Sequence, residues 1–172
     1  AFAKAAELGA EWVELDVRTS ADGVLVVHHD PHLADGRFVF ETPRQELPGH
    51  VPTLADALAC TAEAGLATNV EIKALPGEAD ESTAAKVTDA TVDLVLEHLE
   101  RSGVAGPDRT VPLEVLITCF DPRTIARVRD RAPASLRTGF LTMGGPVEDV
   151  VAVARDGGHV AINPWDPIVA GP

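Results

Sequence analysis

Glu11–Pro31 reads EWVELDVRTSADGVLVVHHDP. Its two runs of Val and Leu suit buried strands, and Asp22-Gly23 between them marks a turn. Yet Glu14 and Asp16 lie inside the first run, and the second ends in His28, His29 and Asp30. Residues two apart in a strand share a face. The first run therefore carries Trp12, Glu14 and Asp16 on one side and Val13, Leu15 and Val17 on the other. Asn69–Lys73, NVEIK, repeats the pattern: Glu71 and Lys73 share a face, and Val70 and Ile72 point away. An isolated buried carboxylate is costly, and gathered carboxylates repel one another. A hard divalent cation such as Mg²⁺ or Ca²⁺ removes both problems, because it takes carboxylate oxygens. A solvated edge strand is the other reading of Glu14 and Asp16, and spacing alone leaves both open. Lys73 suits a phosphate contact or a salt bridge equally.

The flanking sequence alternates helix and strand signals. FAKAAELGAE reads as a helix stopped at Gly9. Residues 31–52 are punctuated by Pro and Gly and read mostly as loop. Thr53 caps a helix with Asp56 at its third position, in the manner of a capping box, and Gly65 ends it. After NVEIK, ALPGEADES reads as loop. A longer helix follows, with Val92, Val95, Leu96 and Leu99 on one stripe, and it closes near Gly103. LEVLITCF is a strand. Asp121 can cap the next helix, with Pro122 at the first position, where a missing amide hydrogen costs nothing. Leu136–Leu141 is a short strand. Gly144-Gly145-Pro146 opens a helix bearing Val147, Val150, Val151 and Ala154, and Gly157-Gly158 stops it. HVAIN is the last strand, before a Pro- and Gly-rich end. Six strands joined mostly by helices predict a parallel sheet with right-handed crossovers. An open doubly wound sheet accommodates that order. So does part of a TIM-type (β/α)8 barrel, whose full form needs eight strands and typically ~250 residues.

At 172 residues, 45% of them hydrophobic, the chain suits one domain with a real core. The net charge of -13 repels nucleic acid and anionic lipid, but leaves room for a small phosphate ester held by local charge. No apolar run approaches the length of a membrane span. Cys60 and Cys119 are too few for a disulfide framework and are expected to be reduced and buried. His29 lies near a strand end, where parallel α/β folds place their chemistry, and an imidazole there can exchange a proton near neutral pH. His28 faces the other way and is expected to pack. His32, His50, His98 and His159 are isolated, with surface or structural roles expected. Ser20 lacks a nucleophile elbow, and no CxxC, HExxH or phosphate-loop glycine motif occurs. Metal-assisted acid–base chemistry is the enzymatic class that remains.

Taken in order, VELDVRTSADGVLVVHHDP, VPTLADAL, NVEIK and ITCFDP resemble the glycerophosphodiester phosphodiesterases over nearly the whole chain. The resemblance implies a TIM barrel that hydrolyses glycerophosphodiesters to an alcohol and glycerol 3-phosphate with a divalent cation, Mg²⁺ or Ca²⁺. It implies Glu14, Asp16 and Glu71 as metal ligands, His29 as the second of two catalytic histidines, and Lys73 as a basic residue near the phosphate. Members of that family open with a His-Arg-Gly strand and a Pro-Glu-Asn-Thr helix start, and close with a Trp-Thr-Val-Asn strand. None of these occurs here, and Cys119 stands where Ser is common. Residues 1–172 are therefore expected to be an incomplete barrel domain of about six parallel strands, lacking the first and last. A piece of a longer cytoplasmic protein, weakly active or inactive by itself, is the expectation. The competing expectation is a non-catalytic module that binds metal or phosphate.

Overall fold

Parallel strands need a crossover of a dozen or more residues, and residues 20–24 are too few to make one. The computed structural model describes residues 1–74, 81–102 and 114–165, and in it the chain doubles back at this point. Strand β1 (Trp12–Thr19) pairs antiparallel with β2 (Leu25–Val27), with Val17 opposite Val27. This corrects the expectation of six parallel strands: β2 is the return arm of a hairpin. It also ends at Val27, short of the histidines. Strands β3 (Ala67–Ile72), β4 (Val115–Cys119), β5 (Arg137–Thr142) and β6 (Ala161–Pro164) follow, and each lies parallel to its neighbour, with β3 beside β1. The sheet order is β2-β1-β3-β4-β5-β6. Order along the chain is thus order across the sheet. A doubly wound sheet reverses at a switch point, whereas a barrel winds in one direction. The observed α/β order is the barrel-like one, with β2 and β6 outermost.

Helices α1 (Phe2–Glu7), α2 (Leu54–Glu63), α3 (Glu81–Ser102), α4 (Pro122–Arg131) and α5 (Val147–Asp156) complete the fold. The apolar strand faces meet them. Leu15, Val17, Val70, Ile72, Ile117 and Phe140 share one buried cluster with Leu54, Leu58, Val92, Val95, Ile125 and Val128. Each such side chain contributes about 1.5–3 kcal/mol on full burial. That packing fixes register. A slip by one residue would drive Glu14, Asp16 and Glu71 into the helices.

Both read caps are present. The Thr53 hydroxyl accepts from the Asp56 amide at 3.1 Å and donates to the Asp56 carboxylate at 2.7 Å. Asp121 accepts from the amides of Arg123 and Thr124. Residues 31–52 are better built than a bare loop. Two single 3-10 turns, Val39–Glu41 and Arg44–Glu46, fold over a small core of Val26, Leu33, Val39, Leu47 and Val51. The α5 stripe is only partly covered: Ala154 is buried, and Val147 stays 72% exposed. Both cysteines are free; Cys119 is buried as expected, but Cys60 is only half-buried. The loop read over 74–82 lies at 75–80 outside the described residues, but Glu81 and Ser82 open α3; the helix end at Gly103 and the Pro- and Gly-rich end at 166–172 also lie outside them.

Candidate active site

Asp16 and Glu71 sit directly opposite each other on parallel strands β1 and β3, and Glu14 is one step back on the same face as Asp16. Neighbouring strands run about 4.7–4.9 Å apart, so side chains on a shared face must meet. Glu14, Asp16 and Glu71 each offer an oxygen, and the three atoms lie within 4.8 Å of one another. Glu71 is buried, Asp16 half-buried and Glu14 exposed, so the cluster opens to solvent on the Glu14 side. Three carboxylate oxygens with one open side fit a hard divalent cation that keeps positions for water or a phosphate oxygen.

Lys73 closes the buried side. Its Nζ lies 2.9 Å from Asp16 Oδ1 and 2.5 Å from Glu71 Oε1. Lys73 thus makes ion pairs with both carboxylates. Partial burial, then repulsion from Asp16 and Glu71, pushes the Glu14 carboxyl up to about 7, against the pull of Lys73. Burial also raises Glu71 and outweighs its attraction to Lys73. For Lys73 the balance reverses: burial disfavours its charge, but hydrogen bonds from the ammonium to Glu71 and Asp16 hold its pKa above the ordinary value. The trio is thus short of positive charge while its lysine is firmly cationic.

His29 stands beyond the end of β2, exposed, with Nδ1 at 2.7 Å from Asp30 Oδ1. His28 is half-buried. Its amide donates to the Asp16 carbonyl at 3.0 Å and its ring meets the Asp30 carbonyl at 2.8 Å, the packing role expected of it. Arg18 was not singled out from the sequence. It is buried, and its guanidinium donates to the His29 carbonyl through Nε at 3.1 Å and Nη2 at 2.8 Å. The signal was its place two residues after Asp16, on the same strand face. Arg18 and Lys73 line a cavity of about 20 Å³ with Thr19, Pro31, Val39, Phe40, Thr83 and Val87. Behind Glu71, the Cys119 thiol donates to the Ile72 carbonyl at 3.1 Å and accepts from the Asp121 amide at 3.3 Å. Burial pushes that thiol up to about 12, so it stays protonated and serves the backbone as a serine hydroxyl would. His98 is buried on α3, a structural position. Among the described residues no helix is long and apolar enough to cross a membrane.

Comparison with known proteins agrees with this architecture. A Mycobacterium tuberculosis protein named probable glycerophosphodiester phosphodiesterase 2 is 39% identical over 85 residues, a match spanning 43% of this chain and 31% of that relative. A phosphodiesterase from Oleispira antarctica, solved in complex with the product sn-glycerol-3-phosphate, superposes with a TM-score of 0.77 at 21% identity. That superposition covers 98% of this chain and 70% of the other. The glycerophosphodiester phosphodiesterase of Thermotoga maritima gives a TM-score of 0.70 at 23% identity, covering 95% of this chain and 65% of the other. At such identities the two structures show a shared fold. The model of the glycerophosphoryl diester phosphodiesterase family matches residues 1–162, and the chain belongs to that family.

Proposed function

We propose that residues 1–172 form part of a TIM-type barrel domain whose protein hydrolyses glycerophosphodiesters to an alcohol and glycerol 3-phosphate with a divalent cation, Mg²⁺ or Ca²⁺. The observation that carries this reading is the meeting of Glu14, Asp16 and Glu71 beside Lys73, in a chain of this family. The product held by the Oleispira antarctica enzyme supports the substrate class. In this reading Glu14, Asp16 and Glu71 hold the cation. A bound cation supplies Lewis-acid stabilisation of the charge that builds on a phosphodiester's non-bridging oxygen. Lys73 adds a point charge on the same side of the pocket. His29 donates a proton to the departing alcohol oxygen. The two free thiols suit a reducing compartment, and we assign the protein to the cytoplasm.

A second reading is a module that binds a cation or phosphate without catalysis. Glu14 favours it: this member of the cluster is exposed, so water reaches a cation position that a working site would shield. Glycerophosphocholine incubated with the chain separates the two readings, with glycerol 3-phosphate as the measured product. Slow release that needs Mg²⁺ or Ca²⁺ and stops with chelator is expected. Cation binding with no release, by this chain and by a protein that completes the barrel alike, would favour the module.

A further inference from the structure

Lys73 occupies the place that a cation would want. Its ammonium touches Asp16 and Glu71 together, and all three side chains are largely shielded, at 9%, 14% and 11% exposure. Coulomb attraction is strong where water is scarce, so this ammonium already does part of what a metal would do for the pair. A divalent ion seated among the same carboxylates would lie within a few ångströms of it, and their repulsion would be equally poorly screened. The two charges cannot both sit well.

We infer that Lys73 is the resident counter-ion of the carboxylate cluster, and that a divalent cation enters by exchange with it. The inference rests on the metal reading of Glu14, Asp16 and Glu71. The exchange has a direction: Glu14 is the exposed member, so an incoming ion meets its carboxylate first, while Lys73 holds the shielded pair. The small cavity beside Lys73 is lined by Arg18, Pro31, Val39 and Phe40 and offers an ammonium no anion, so the displaced head turns towards solvent. Flexibility favours this, since a lysine head rides on a four-carbon stem and reorients without moving the strand. The consequence is that the shielded pair, Asp16 and Glu71, keeps a counter-charge before the ion arrives. A second consequence is ordering: the ammonium becomes available to an anionic substrate only after the ion has bound.

Two measurements on the intact chain test this, with MgCl₂ and CaCl₂ as the probes. Lys73→Met keeps the length of the side chain and removes the competitor. Calorimetry should then show the variant binding the ion about tenfold more tightly or better, the scale on which neighbours tune metal sites. Independently of any variant, the Lys73 ammonium resonance in ¹⁵N-edited spectra should be protected in ion-free protein and lost at saturating ion. Equal or weaker binding by Lys73→Met would overturn the inference, as would an ammonium signal unchanged at saturation. If neither wild type nor variant, both folded, binds either ion, then the metal reading itself falls and the exchange falls with it.

Discussion

His29 reaches its position through its neighbours rather than through a strand. β2 has ended, and the charged fork of Arg18 holds the His29 carbonyl from the carboxylate-bearing strand β1. A histidine so tethered, with its ring exposed, suits proton delivery to a departing alcohol. His29→Ala should therefore cost roughly 10²–10⁴ in the rate of glycerophosphodiester hydrolysis. The penalty should shrink as the leaving alcohol is made more acidic, because a good leaving group needs no proton. A penalty constant across the substrate series would assign His29 to base or positioning work instead. At this scale the site was largely legible. Two-residue spacing placed Glu14 with Asp16, and Glu71 with Lys73, on common faces. Spacing could not choose between a solvated edge and a cluster, because that depends on which strands become neighbours. Pairing of β1 with β3 brings the three carboxylates together and sets Lys73 beside two of them. Arg18 was legible in position but not in role, since its partner is a backbone carbonyl eleven residues on.

Among the elements, α4 shows how local chemistry sets a boundary. Burial pushes the Asp121 carboxyl up, but hydrogen bonds from the Thr124 hydroxyl and the amides of Arg123 and Thr124 prevail and hold it below the usual range. Asp121→Ala should cost about 1 kcal/mol in urea unfolding at pH 7. The sign of its pH dependence follows from linkage. A carboxyl depressed in the folded state stabilises fully above its unfolded value, about 3.9, and that stabilisation fades as pH falls through the folded value. The cost of Asp121→Ala should therefore shrink below about pH 4. A cost that stays constant to pH 2 would mean the charge is not what caps the helix. Both caps were readable because capping is a contact within four residues. The β1–β2 hairpin was misread although Asp22-Gly23 was seen, because the parallel rule for βα alternation was extended across a connection too short to obey it. The content of residues 31–52 was missed for another reason: its small core draws Val26 from β2, and no periodicity announces a cluster assembled from single residues.

For the whole molecule, winding order matters more than strand count. β1, β3, β4, β5 and β6 follow one another across the sheet as they do along the chain, and the apolar faces of β1, β3 and β4 pack on the helices while Glu14, Asp16 and Glu71 lie on the other side. The helical layer is tied across its outside by Asp89 with Arg127 and Asp93 with Arg131, all at 2.7 Å. Pairs this exposed contribute only a fraction of a kcal/mol each, so the core carries the fold. Alternation of helix and strand signals made the α/β class readable but left barrel-like and doubly wound order open; the family resemblance implied the barrel, and the pairing gives the barrel-like order. This fold gathers Glu14, Asp16 and Glu71 where, on the metal reading, they hold one hard cation. The direct test is calorimetric titration of Mg²⁺ and Ca²⁺ into the chain and into a Glu14→Gln, Asp16→Asn, Glu71→Gln variant, which keeps side-chain size while removing the charges. With both proteins folded by circular dichroism, saturable binding to wild type and none to the variant is predicted. Equal binding to the two would contradict the claim.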